Sequence, residues 1–201
     1  RFENVLARQP GNAQAWHLLG VTLQRLGRHS AALHALRSAS ALAPTNPRTL
    51  HALAESEFHA GYPEDALPLW QGLLAGNPGD ENAVLRTAET LNRLGRHDEA
   101  LAILRRAVSG QPGAGDLWMA LAQTEEDAGD RDAARAAYRA ALEQRPGWAF
   151  PVSGLLGLDR GKAEEGLVEL AGTLLAHPSL PDPDRALIGY ELGKVYDARA
   201  D

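Results

Sequence analysis

Pro44, Pro78, Pro112 and Pro146 follow one another at intervals of 34 residues. Proline has no N–H to donate and its ring clashes with the preceding turn, so an α-helix does not run through it undisturbed. A chain that interrupts helices on a fixed ruler is built from copies of one unit. A period between about 20 and 50 residues is the mark of a stacked array, and one near 34 gives room for two helices and two short turns. Such a unit cannot bury its apolar side alone. It must lean on the next copy, so the ruler predicts an all-α array of helix pairs.

Laying the copies on that ruler aligns further columns. The first full repeat reads Trp16, Leu19, Gly20 and Leu23, then Gly27, Ala32, Leu36, Ala39 and Pro44. The second gives Leu50, Leu53, Ala54, Gly61, Ala66, Trp70, Leu73 and Pro78. The third gives Val84, Ala88, Leu91, Gly95, Ala100, Leu104, Ala107 and Pro112, and the fourth Trp118, Leu121, Ala122, Gly129, Ala134, Tyr138, Ala141 and Pro146. Large residues three apart share one helical face. The small residue beside them lets two backbones approach. The glycine column suits a left-handed residue closing the first helix. The next alanine packs inside the pair, and the bulky residue four later fills the neighbouring space.

These columns resemble the tetratricopeptide repeat, whose W-x-x-L-G-x-x-Y, A-x-x-x-F and P pattern they follow from residue 13 to 146 without a gap. The resemblance implies a right-handed α-α superhelix, a solenoid of about five repeats. Phe2, Val5 and Pro10 match the second helix of a preceding repeat, and Leu192, Gly193 and Tyr196 match the first helix of a following one. The expected organisation is therefore a half repeat over 1–12, four regular repeats over 13–146, an irregular fifth over 147–180 and a half repeat over 181–201. Half-built ends point to a fragment of a longer protein, with self-association through them as a further expectation. Pro68 inside a second helix predicts a late start or a kink. Pro151, Gly154, Gly157 and the short interval from Pro146 to Pro178 predict irregular geometry over about 149–184.

Hydrophobic residues make up 44% of the chain but aromatics only 5%, so the core is largely Ala and Leu, good helix formers. A formal net charge of −6 argues against a general nucleic-acid binder, which needs clustered Lys and Arg. The longest apolar runs fall short of a membrane span. Cysteine is absent, which removes disulfides, thiolate metal sites and cysteine nucleophiles. A cytoplasmic location is expected, with the periplasm as the alternative.

Chemistry-bearing motifs are missing: there is no phosphate-binding glycine loop, no G-x-S-x-G and no H-E-x-x-H. No catalytic residue, cofactor or metal is expected. Asp182 and Asp184 read as a solvated loop, and Asp127, Asp130 and Asp132 as helix caps. His17 and His51 occupy one column of adjacent repeats and lack a third ligand, which makes them polar contact residues rather than a metal site.

In the family, first helices line the concave side, and the resemblance carries five groove positions onto each repeat. They are Gln14, His17, Val21, Gln24 and Arg25 in the first, and Arg48, His51, Glu55, Phe58 and His59 in the second. The third supplies Asn82, Leu85, Glu89, Asn92 and Arg93, and the fourth Asp116, Met119, Gln123, Glu126 and Asp127. The early groove is basic in tendency and the fourth repeat acidic. The expected function is a non-catalytic scaffold that binds a protein or peptide there, acidic part towards the first three repeats. The two-pronged carboxylate grip of chaperone cochaperones is not expected, because His17, Val21, Leu85 and Glu89 stand where its basic and amide residues would be. Asp184-Arg185-Ala186-Leu187 and Tyr190 to Asp197 resemble the last repeats before the catalytic domain of bacterial sulfotransferases. That resemblance implies an alternative: the recruiting arm of a larger transferase whose catalytic domain is absent from these residues.

Overall fold

The computed structural model describes residues 2–200, with the side chains of all of them except 2–4 and 160. The side-chain role expected for Phe2 therefore lies outside the described residues. Twelve α-helices follow in order: α1 Phe2–Arg8, α2 Ala13–Arg25, α3 His29–Leu42, α4 Pro47–His59, α5 Pro63–Gly76 and α6 Glu81–Arg93. Then come α7 His97–Gly110, α8 Gly115–Asp127, α9 Arg131–Gln144, α10 Ala149–Asp159, α11 Glu165–Ala176 and α12 Asp182–Ala200. There is no strand among the described residues. The first helices of the repeats start at 13, 47, 81, 115 and 149, and the second helices at 29, 63, 97, 131 and 165. Both series keep the 34-residue step, so the period is a physical repeat of antiparallel helix pairs.

Each turn is written into the chain. Gly27, Gly61, Gly95 and Gly129 have φ of 68°, 91°, 70° and 89°, a region costly for residues with a Cβ. The following N–H reaches back five residues to a helix carbonyl, as in Arg28 N to Leu23 O at 2.9 Å and Tyr62 N to Glu57 O at 2.8 Å. That is the Schellman closure. At the other end Asn12, Asn46 and Asp80, one per repeat, accept backbone N–H bonds from the first turn of α2, α4 and α6. Asp130 caps α9 through Ala133 N at 3.0 Å, as its sequence position suggests.

The chain divides into two compact units, residues 1–100 and 101–201, with the division inside α7. In the first unit Leu36 is fully buried and packs with Ala32, Leu33, Ala52 and Leu53. Trp70, 1% exposed, packs with Ala54, Phe58 and Ala66. The second unit has a cluster around Val152, Leu156, Ala171, Ile188, Leu192 and Val195, which joins α10, α11 and α12. Burying one such side chain contributes roughly 1.5–3 kcal/mol.

Two expectations need correction and a third holds in part. The late start at Pro68 is one: α5 begins at Pro63 and continues past Pro68. Pro68 is exposed, so the Glu64 carbonyl that loses its intrahelical partner can turn to water. The fifth repeat keeps the ruler for both helix starts, but α10 and α11 have 11 and 12 residues where the regular repeats have 13 and 14, with a 3₁₀ turn over Arg160–Lys162 between them. Ala163 occupies the glycine column there, and an alanine does not take the left-handed turn cheaply. Asp182 and Asp184 belong to the first turn of α12 rather than to a solvated loop, where their charge complements the helix N-terminus. Arg185 holds the preceding loop by donating to the carbonyls of Leu175, His177 and Leu180.

Candidate functional site

The first helices of repeats one to three, α2, α4 and α6, all lie in the first unit. α4 enters through Asn46, whose side chain accepts from Arg48 N at 3.0 Å and Thr49 N at 3.4 Å, and Pro47 presets its first turn. Thr49, Ala52, Leu53 and Ala54 then turn inward and are buried. That rotation brings Arg48, His51 and Glu55, spaced by three and four, onto one side. They line a cleft of about 800 Å³ together with His17, Val21 and Gln24 from α2. The remaining wall comes from Gly72, Leu73 and Gly76 on α5 and from Asn77, Asp80 and Ala83 beyond it.

The structure thus brings together six of the groove residues named from sequence: His17, Val21, Gln24, Arg48, His51 and Glu55. Gln24 donates from Nε2 to the Ala52 carbonyl at 2.9 Å, tying α2 to α4. The two histidines take different partners. His17 Nδ1 lies 3.2 Å from Thr49 Oγ1. His51 Nε2 lies 3.1 Å from Asn82 Oδ1. The His51 ring also meets Trp70 edge-on at 5.0 Å. Each histidine is half-buried and bonded to the next first helix, where simple exposure was expected. Among the described residues no group of three His, Cys, Asp or Glu could hold a metal.

The other named residues fall outside the cleft lining. Gln14 and Arg25 are exposed on α2. Phe58 is only 6% exposed and lies under the Arg93 guanidinium, 4.7 Å from its ring centre. His59 packs on His29 at 4.8 Å. Leu85 is half-buried, Glu89 pairs with Arg86, and Asn92 approaches the His97 ring at 3.3 Å. Met119, 9% exposed, and the exposed Gln123 belong to α8 in the second unit.

Charge in the cleft is unevenly neutralised. Arg86 reaches Glu55 at 3.3 Å and, outside the cleft lining, Glu89 at 2.9 Å, so the Glu55 carboxylate is occupied. Asp80 is used as the α6 cap, accepting from Ala83 N at 3.1 Å. Arg48 has no carboxylate partner among the described residues. Burial, and then the nearby Arg48 charge, push the His17 pKa down, which keeps its ring neutral at pH 7. The arrangement offers one unbalanced cation, amide and imidazole hydrogen-bonding groups, and apolar walls.

Sequence reasoning missed the α5 side of this cleft. The signal there was thin: the Gly72 column holds Ser38, Arg106 and Ala140 in the other regular repeats, and the Gly76 column holds Leu42, Gly110 and Gln144.

A model described as tetratricopeptide repeat matches residues 57–124 and 93–156, and a second of the same description matches 13–56. Among curated proteins, the human PEX5-related protein is 34% identical over 77 residues, covering 38% of this chain and 12% of that protein. The mouse PEX5-related protein is 33% identical over 77 residues, 38% of this chain and 14% of the relative. The match therefore spans only a small part of these relatives' length. The fold is shared with YrrB, described as a TPR protein with an unusual peptide-binding site (TM-score 0.66, 17% identity, 94% of this chain and 96% of that one). It is shared too with TTC0263 of Thermus thermophilus (0.66, 23%, covering 90% and 98%) and MamA of Desulfovibrio magneticus RS-1 (0.64, 15%, covering 94% and 95%). With both models on the 34-residue ruler, and with the glycine turns and helix pairs on the same period, this chain belongs to the tetratricopeptide repeat family.

Proposed function

We propose that the chain is a non-catalytic protein- or peptide-binding module whose recognition surface is the cleft of the first unit. The observation that carries this reading is the convergence of His17, Val21, Gln24, Arg48, His51 and Glu55 on one cleft of about 800 Å³. Apolar walls with a few placed polar groups are what a ligand cleft requires. The family supports a protein or peptide over a small molecule, as does YrrB with its described peptide-binding site. Helical anchors repeated along neighbouring first helices suit an extended or helical segment. The proposal assigns the chain recognition without chemistry: the cleft's side chains hold hydrogen bonds and charge rather than an activated nucleophile beside a base.

Site-specific photo-cross-linking in cells tests this. A benzophenone side chain in place of Val21 or Glu55 is expected to capture a discrete protein, whereas one in place of exposed Ala41 on α3 is not. Capture from Ala41 alone, with none from the cleft, would place recognition elsewhere.

A further inference from the structure

Two glycines give the cleft its room. A Cβ built on Gly72 or on Gly76 meets nothing within 4 Å, and neither residue has a positive φ. No turn and no close packing demands glycine at either place. Gly20 is the opposite case, because a Cβ there would come 2.4 Å from Leu36 Cγ. Interior glycine weakens a helix relative to alanine. In the second repeat Gly72 sits inside α5 and Gly76 is its last residue, both at its cleft-facing wall. Leu73, Val21 and Leu50 supply apolar lining around this space. Arg48, the cleft's one cation without a carboxylate partner among the described residues, borders the same space, since Glu55 is held by Arg86 and Asp80 caps α6.

We propose that the cleft takes an acidic peptide by seating one bulky apolar side chain against Gly72 and Gly76, with a neighbouring carboxylate on Arg48. This rests on the recognition surface assigned above and specifies its ligand. An apolar anchor in a pocket is where a binding interface concentrates its energy. A guanidinium beside it selects Asp or Glu through a charge-assisted, two-pronged hydrogen bond. Charge complementarity favours an acidic segment over a basic one, and the open glycine wall favours Leu, Ile, Phe or Trp over Ala as the anchor.

The test uses the intact chain and a phage-displayed library of random dodecapeptides, followed by fluorescence anisotropy with the enriched peptides. Enriched sequences are expected to carry Leu, Ile, Phe or Trp within two residues of Asp or Glu. Gly72→Leu and Gly76→Leu should each weaken binding by about tenfold or more, while the melting temperature stays level or rises. Arg48→Ala should erase the preference for Asp and Glu over Asn and Gln. Enriched peptides without the apolar–acidic pair, or full affinity for both leucine variants, would overturn the proposal. If those peptides still lose affinity for a His51→Ala, Gln24→Ala double variant, the cleft remains the recognition surface and only the anchor assignment falls. Failure of every peptide to bind, or binding indifferent to all these variants, removes both.

Discussion

Gly20 and Gly72 are the same residue type in helices of one unit, with opposite physical roles. At Gly20 a methyl group would meet Leu36 Cγ at 2.4 Å, and Leu36 is fully buried. Overpacking of that kind costs about 1–3 kcal/mol, against about 1 kcal/mol of helix propensity gained. At Gly72 only the gain applies. Gly20→Ala is therefore expected to be less stable than Gly72→Ala by roughly 1–3 kcal/mol in urea unfolding, and equal stabilities would refute the packing role. A second contrast concerns Glu57, whose side chain is 4% exposed and is gripped by Arg37 through Nε at 2.9 Å and Nη2 at 3.1 Å. Burial pushes its pKa up and the Arg37 bonds pull it part of the way back. Removing Arg37 leaves a buried, unpaired carboxylate at neutral pH, and lets the pKa rise further. As pH falls through that raised value the carboxyl takes a proton and the unpaired charge disappears. Arg37→Ala should thus cost about 1–3 kcal/mol at pH 7 and clearly less near pH 4. A deficit that does not shrink on acidification would show that the pair matters only through packing.

At the scale of the helix and its caps, the sequence was most readable where a backbone requirement selects the residue type. The glycine column marks left-handed turns, and Gly27, Gly61, Gly95 and Gly129 all take a positive φ. The fifth repeat breaks at Ala163 for the same reason, although its helix starts stay in step. Pairing between repeats was much less legible. Arg37 with Glu57 and Arg105 with Glu125 repeat the same 20-residue separation, two repeats apart, but each pair joins different repeats and no single-repeat column displays it. Phe58 was assigned to the groove by its position, yet an apolar side chain there sinks into the core with Ala54, Ala66 and Trp70. Asn46 permits a test of how one cap serves the site. It satisfies two first-turn N–H groups of α4, the helix that carries Arg48, His51 and Glu55. Asn46→Ala should cost about 1 kcal/mol of stability and loosen amide exchange in the first turn of α4. Unchanged exchange there would mean that tertiary packing alone orders that turn.

On the scale of the whole chain, two compact units divide inside α7, and the cleft belongs entirely to the first. The 34-residue ruler made the fold class readable in advance, whereas the residues on the α2 and α4 side of the cleft came from the groove positions that the family resemblance implies. The α5 half was not readable. Its contribution includes the absence of side chains at Gly72 and Gly76, and of these only Gly76 recurs on the ruler, once, as Gly110. Among the described residues no helix is long and apolar enough to cross a membrane. The central claim is that recognition resides in the first unit's cleft. Hydrogen exchange across the intact chain, with and without a peptide selected on it, tests that claim most directly. Added protection is predicted in α2, α4 and the Gly72–Asn77 segment, with none in α10 to α12. Protection confined to the second unit, with the cleft helices unchanged, would contradict it.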